Sequence, residues 1–322
     1  MEFTVIFKFT TRFIFLLLAA WLFRPASADG QIVFGEQRYP FEPSDVLEGA
    51  TEFVRKDICW EAYGSGGHLL GYVFLTDDLV DIPGYSGHTM NTLVGMDAEG
   101  RITGVKIVKH SEPIVLIGLN EQVIHDFVGQ YVGKHIRDRI LISNMPKTGT
   151  IAIDGITGAT VTAVAENATI LEAGRKMGRT VGILKASEVR TRRPSEAFQP
   201  LTWGALDQKG AIGSVLVSPS DVGLSGESAM LDLKFAVLDP PAVGQNLLGE
   251  RFYAIARARI QKGETALFIG ANGTVSFKGA GFARGGIFDR FSLEQDGGLF
   301  VFKDIDYINF ADLQAEGTPA FR

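Results

Sequence analysis

Cysteine is almost absent from this chain. Cys59 is the only one in 322 residues. That excludes an internal disulfide, a cysteine-rich zinc site and an iron–sulfur cluster held by these residues. Cys59 sits in DICWEAY, an apolar, strand-like stretch, and reads as a buried small hydrophobe. Excess positive charge is missing too. The net charge is −6 at pH 7, with no basic cluster, which argues against nucleic acid as a ligand. The five histidines, at 68, 88, 110, 125 and 135, form no H-x-H or H-x-x-x-H pair, so no metal site is assigned. Long apolar runs are scarce. The longest is Phe13 to Phe23, 11 residues, whereas a membrane-spanning helix needs roughly 20.

That run has a context. Lys8 and Arg12 precede it, and Arg24, Pro25 and Ala26-Ser27-Ala28 follow. A basic start, a short apolar core and an A-x-A site read as a secretory signal peptide cleaved after Ala28. Its removal takes away Lys8, Arg12, Arg24 and Glu2 and leaves a net charge of about −8. The mature protein is expected outside the cytoplasm.

The remaining chain divides into segments with different periods. EPSDVLEGATEFV (42–54) reads as a short helix capped at Ser44. CWEAY, GSGG and HLLGYVFL read as a hairpin with a glycine-rich turn. TMNTLVGMD (89–97) and RITGVKIVKH (101–110) read as a second hairpin, with a slip in phase at Gly104. From Asn120, NEQVIHDFVGQYVGK places Val123, Phe127 and Tyr131, and Ile124 and Val128, on one helical face, and Gly133 helps end it. GTIAID (149–154) reads as a short strand. A helix from 160 to 177 follows, with Arg175 and Lys176 in its last turn and Gly178 just beyond. Residues 186–200 are polar, basic and proline-bounded and read as a linker. Beyond it, LDLKFAVLD (231–239) suggests a strand, and residues 243–260 an amphipathic helix. TALFIGA, TVSF, FDRFSLE and LFVFKD suggest four further strands. The expected class is α+β: an antiparallel sheet with helices over 29–185, then a smaller mixed unit over 201–322.

DGITGATVT, residues 154–162, lies between the strand and the long helix. The first amides of a helix lack intrahelical partners and sit at the positive end of its dipole, so such an end accepts a phosphate. Gly155 and Gly158 let the backbone turn sharply and approach a ligand. Thr157 is placed to cap the helix, and Thr160 falls in its first turn with an exposed hydroxyl. A plain helix cap uses the same residue types, so the pattern alone leaves both readings open.

DGITGAT also resembles the D-G-x-S/T-G-A-T signature of the FMN-binding domain that carries covalent flavin. The resemblance implies FMN linked through its phosphate to Thr160 by a flavin transferase. It places Asp154, Gly155, Thr157, Gly158, Ala159 and Thr162 around the attachment point. LLGYVFLT and GYSGHTMNTLVGMDAEGRITGVKIVKHSEP are similar to the hairpins of that family. They carry over Tyr85 and Gly87 from the G-Y-x-G step, and His110, Glu112 and Pro113 from the segment that faces the flavin. That segment reads SEPIVLIG here in place of the commoner E-T-P-G form.

TDDLVDIPGYSGHTMNTLVGMD and KIVKHSEPIVLIG resemble the NosR/NirI family in particular, from about residue 30 to the C-terminus. That likeness implies a periplasmic electron-transfer flavoprotein rather than a stand-alone enzyme. It would serve nitrous oxide respiration, with nitrous oxide reductase or its maturation system as partner. Members of the family continue into transmembrane helices and cysteine-rich cluster motifs, so this chain is expected to be a fragment of a membrane-anchored protein. The alternatives are a scaffold that regulates or assembles denitrification enzymes, and an Rnf- or Nqr-type electron-transport subunit.

GAGFARGGIFDR (279–290) does not match G-x-G-x-x-G and reads as a loop, with Arg284 and Arg290 as candidate partner contacts. Arg251, Arg257 and Arg259 read as the solvated face of their helix.

Overall fold

The computed structural model describes residues 3–6, 35–143, 148–185, 197–261, 264–279, 286–288, 290–295, 298–303, 306–310 and 313–321. Residues 7–28 of the expected signal peptide, residues 186–196 of the expected linker, and Arg284 lie outside them. The chain forms two compact units. One comprises residues 35–192 and 276–304, the other residues 1–34, 193–275 and 305–322. Residues 276–304, expected in the second unit, thus belong with the first.

In chain order the elements are β1 (Phe3–Ile6), β2 (Gln37–Arg38), β3 (Glu52–Arg55), β4 (Trp60–Tyr63), β5 (Leu69–Leu75), β6 (Asn91–Asp97), β7 (Ile102–His110), α1 (Gln122–Gly129), β8 (Ile140–Ile142), β9 (Ile151–Ile153), α2 (Thr160–Thr180), α3 (Trp203–Gln208), β10 (Gly213–Val217), β11 (Leu231–Val237), α4 (Pro241–Arg259), β12 (Leu267–Asn272), β13 (Leu293–Gln295), β14 (Gly298–Phe300) and β15 (Tyr307–Phe310). Antiparallel strands with a few helices make the fold α+β.

The first unit is built on a six-stranded antiparallel sheet in the order β2-β7-β6-β5-β4-β3. Adjacent residues of its central strands point to opposite faces, and both faces are buried. Phe74 and Val94 join the helices in one core, while Val73 and Leu93 pack with Phe41, Val46, Leu47 and Ala50 in another. The expected helix over 42–54 is replaced by a single 3-10 turn at Pro43–Asp45. Its cap is Glu42, not Ser44: the Glu42 amide donates to Asp45 Oδ2 at 3.0 Å. The chain then leaves helical space at Gly49 (φ 81°), and Glu52–Arg55 pairs as β3. The sheet dictates this. Val46 and Leu47 are buried on it, and the Val46 carbonyl accepts from Thr103 Oγ1 at 2.7 Å. Gly95 and Gly104 face each other across β6 and β7, and a Cβ on either would overlap the Val46 backbone. The register shift between Gly95 and Met96 is the slip in phase seen in the sequence.

Helix α1 buries Ile124, Phe127 and Val128. Helix α2 is longer than expected and buried on most of its surface, because its alanines and glycines admit close neighbours. Gly178 is not its terminator. It lies inside the helix, where a Cβ would overlap Ile136, and Gly182 (φ 79°) follows the C-cap Val181 instead. Arg175 is buried and donates to the Ile136 and Asp138 carbonyls. Ile287 also packs on α2, against Val161 and Ala165, with Val301 beside it.

The second unit pairs its strands in the order β10-β11-β12-β1-β15, all antiparallel. Trp203, Leu247, Leu248, Phe268 and Phe321 form its core with α3 and α4. Three expectations fail in the C-terminal part of the chain. The helix over 243–260 is broken at Gly249 (φ 73°, ψ 163°). TVSF forms no strand, since Thr274 and Val275 turn back to the Met230 carbonyl. FDRFSLE contributes only Leu293 and Glu294 to β13. Strand β1 lies in the segment read as a signal peptide, and a chain that loses residues 1–28 loses this strand. No helix among the described residues is long and apolar enough to cross a membrane.

Candidate functional site

Strand β9 ends at Ile153, and Gln130 takes both backbone groups of the next residue, Asp154. Asp154 N donates to Gln130 Oε1 at 2.9 Å, and Gln130 Nε2 donates to the Asp154 carbonyl at 3.1 Å. The Asp154 side chain is exposed. At Gly155 a Cβ would sit 2.8 Å from Ile142 Cγ2, so this position stays bare. A turn follows: Ala159 N donates to the Ile156 carbonyl at 3.0 Å, with Gly158 at φ 86°. That left-handed residue delays the helix. Its N-cap is Ala159 rather than Thr157, and Ala159 has no side-chain acceptor. The amides of the first turn therefore face outward uncapped. Thr160, the first helical residue, is exposed beside them, as is Thr157.

Two clefts flank this turn. One of about 310 Å³ is lined by Ile142, Ser143, Gly155, Ile156, Thr157, Thr160 and Ala163. The other, of about 520 Å³, lies between the turn and α1 and reaches Leu119, Phe127 and Gln130. Both fall in the size range of small-molecule sites.

Glu112 joins the distant motifs. Its carboxylate accepts from Tyr85 N at 3.1 Å and Ser86 N at 3.0 Å, and from the Thr162 hydroxyl. Gly84 has no room for a Cβ, which would overlap the same carboxylate. Gly87 (φ 79°) closes that turn, its amide donating to the Gly84 carbonyl. The Tyr85 side chain is half exposed. His110 is buried below Glu112, with Nδ1 accepting from Glu112 N at 3.1 Å. That bond leaves the ring proton on Nε2, which lies 3.1 Å from Glu121 Oε1. Burial pushes the His110 pKa down and outweighs the raising effect of Glu121 and Glu112, so the ring is neutral at pH 7. Pro113 is buried, and its carbonyl accepts from Ile117 N. The turn so formed exposes Val115, Leu116 and Ile117. Tyr85, Glu112 and Thr162 thus meet directly, His110 and Pro113 flank them, and residues 154–160 form the adjoining turn.

Sequence reasoning passed over Glu166. It follows Thr162 by four positions, hence on the same face of α2. It is buried and accepts from Thr92 Oγ1 at 2.5 Å. Burial raises its pKa to about 8. Its signal is a lone acidic residue on a helical face otherwise made of alanine, threonine and isoleucine. Cys59 is buried, and that burial raises its thiol pKa.

Residues 84–173 match the family model of the FMN-binding domain. They span the motif turn and the contacts of Glu112. The chain is 37% identical over 276 residues to the "Regulatory protein NosR" of Stutzerimonas stutzeri, and 34% identical over 277 residues to that of Pseudomonas aeruginosa. It is 28% identical over 266 residues to "Protein NirI" of Paracoccus denitrificans. Each match covers 80% of this chain and 37–39% of the relative, so the chain spans well under half their length. A component of the Na(+)-translocating ferredoxin:NAD(+) oxidoreductase complex of Acetobacterium woodii is 31% identical over 102 residues, 31% of this chain and 46% of that protein. Residues 84–173 are therefore an FMN-binding domain. More widely, the chain is homologous to part of the NosR and NirI proteins.

Proposed function

We propose that Thr160 carries FMN through a phosphoester, and that the protein relays electrons through this flavin outside the cytoplasm. The supporting observation is the start of α2: an exposed threonine hydroxyl as its first residue, beside amides that no side chain caps. A phosphate on Thr160 Oγ1 would complete those amides, and the dipole of a 21-residue helix favours its charge. When bound, the flavin supplies the one- and two-electron chemistry. The protein's part is positioning. Gln130 fixes the end of β9, Gly158 sets the turn, and Glu112 ties the Tyr85 turn to the second threonine of the helix start. A tethered cofactor is retained in a compartment where free FMN would be diluted away.

The relatives' names extend this reading. We assign the chain to the electron supply of nitrous oxide respiration, acting on nitrous oxide reductase or its maturation, with a flavin transferase as the modifying enzyme. The match to the Na(+)-translocating complex is confined to 102 residues, so it speaks for the domain and not for that complex. The relatives' name "Regulatory protein NosR" favours one competing reading, a regulatory or assembly scaffold whose flavin is structural.

The test is the intact mass of protein from the periplasm of a host supplying the transferase, with peptide mapping over residues 150–176. The expected gain is FMN less one water on Thr160, lost in Thr160→Val. An unmodified mass, with the transferase active on a control protein, reduces the motif to a helix start. Undiminished partner activity in cells carrying Thr160→Val would favour the scaffold.

A further inference from the structure

Below the motif turn, α2 directs a carboxyl into the core. Glu166 is 1% exposed, and only one of its oxygens is satisfied. Oε1 accepts from Thr92 Oγ1 on β6, while Oε2 has no hydrogen-bond partner. The Thr92 amide in turn donates to Thr76 Oγ1 at 2.9 Å. One helical turn earlier, Thr162 donates to Glu112. Two carboxyl groups therefore lie under the start of α2, tied to the same helix face by residues four apart.

Beyond the Thr92 hydroxyl, which lowers its pKa, the charges acting on Glu166 offer no compensation. The charges acting on it are those of Glu112, after β7, and of Asp77, after β5; both are acidic and raise its pKa. Asp77 is itself paired with Lys109 at 3.1 Å. Tyr131, after α1, has a pKa raised well above the ordinary tyrosine value by burial and by Glu166, and its hydroxyl donates to Asn167. A buried carboxyl with one bare oxygen and acidic neighbours is stable as the neutral acid.

We propose that Glu166 is the proton store of the redox site, a buried acid that binds its proton more tightly when the flavin on Thr160 is reduced than when it is oxidised. This rests on the attachment reading above. Glu166 follows Thr160 by six residues, about 9 Å along the helix at 1.5 Å per residue. The charge would lie on the ring beyond the phosphate, on the order of 20 Å away, and at an effective dielectric constant of about 20 it tightens proton binding roughly fourfold. The step balances as follows. A reductant such as dithionite gives two electrons to the oxidised flavin and is itself oxidised. The ring takes one proton and keeps one net negative charge. Above the pH where Glu166 has ionised in the oxidised protein, its carboxylate takes a second proton from solvent. Reoxidation by an electron acceptor returns both protons to solvent.

The experiment is reduction-induced infrared difference spectroscopy on the full chain, after its mass has shown the flavin. It is run at a pH about tenfold more alkaline in hydroxide than the midpoint at which the oxidised protein loses its protonated-carboxyl band. Reduction is expected to restore part of that band, reoxidation to remove it, and Glu166→Gln to lack it in both states. Thr92→Val, which removes the hydroxyl donor to Glu166, is expected to move the midpoint to higher pH, and keeps the test open if Glu166→Gln does not fold. A flavin-loaded protein whose band ignores reduction, or keeps its response in Glu166→Gln, overturns this inference alone. A protein whose mass shows no flavin overturns the attachment reading, and this inference with it. Thr160→Val should titrate the same carboxyl with no response to reductant.

Discussion

Glu166→Gln tests the buried acid through stability, without any flavin. The ordinary carboxyl value is 4.5 and burial raises it to about 8 in the folded protein. Below pH 4.5 both the folded and unfolded chains hold the proton, and the group contributes no penalty. Between 4.5 and 8 the unfolded chain releases it while the folded chain keeps it, so stability falls as pH rises. Above 8 the loss is complete and constant. A tenfold difference in proton affinity between the folded and unfolded chains is worth about 1.4 kcal/mol, so the full span is about 5 kcal/mol. Glutamine has nearly the same shape, keeps an oxygen for the Thr92 hydroxyl and does not titrate. Its amide group inherits the bare Oε2 position, at a cost of about 1–3 kcal/mol. The variant is thus expected to be no more stable than wild type near pH 5, and more stable by a few kcal/mol at pH 8. The assay is urea unfolding across this pH range, followed by amide exchange in peptides from β6 and α2. Reading those peptides reports the first unit and leaves the second out. Stability curves that stay parallel from pH 5 to pH 8 refute the reasoning.

Three further outcomes follow from the same contacts. Glu112→Ala leaves two backbone amides and the buried Thr162 hydroxyl without their acceptor, and should cost about 2–4 kcal/mol in urea unfolding of the first unit. Gly178→Ala places a methyl against Ile136 and should destabilise by about 1–3 kcal/mol through overpacking; Gly182→Ala, which meets open space at φ 79°, should cost about 1 kcal/mol through backbone strain alone. Thermal shifts for the two variants separate those causes. N-terminal sequencing of exported protein should begin at Asp29, in which case the β12 and β15 edges flanking Phe3–Ile6 pair differently in the mature chain; an intact N-terminus keeps β1 in the sheet.

Local chemistry was legible and long-range chemistry was not. The hairpins of β4 to β7 could be read because strand alternation and turn glycines act over a few residues, and even the irregular register at Gly104 left a mark. The stretch 42–54, helical by propensity and a 3-10 turn and strand in the fold, shows the limit. Its propensity was overruled by a sheet face with a groove at Gly95 and Gly104, formed by strands that begin some 40 residues later. Gly178 obeys the same logic: a glycine near a helix end signals termination unless a distant side chain, here Ile136, needs the space. The assignment of 276–304 to the second unit failed because sequence order says nothing of which core a late segment joins. At the site, DGITGAT could be read as a helix start, whereas the contacts of Glu112 could not. Its partners lie 26 to 50 residues away in sequence.

The two threonines on either side of Val161 meet opposite environments. Helical residues two apart are about 200° apart around the axis, so Thr160 and Thr162 point in nearly opposite directions. Thr160 is exposed at the open end of the helix. Thr162 is buried and spends its hydroxyl on Glu112. The outward hydroxyl is free to be modified because it holds nothing in the fold. The inward one cannot be modified without breaking the link between α2, the Tyr85 turn and the segment after β7. Valine at 162 would remove a donor from Glu112, whereas valine at 160 removes none. Under the attachment proposed above, the spacing of the pair separates attachment at Thr160 from scaffolding at Thr162, and the modified oxygen stands on a part of the helix tied from beneath through Glu112.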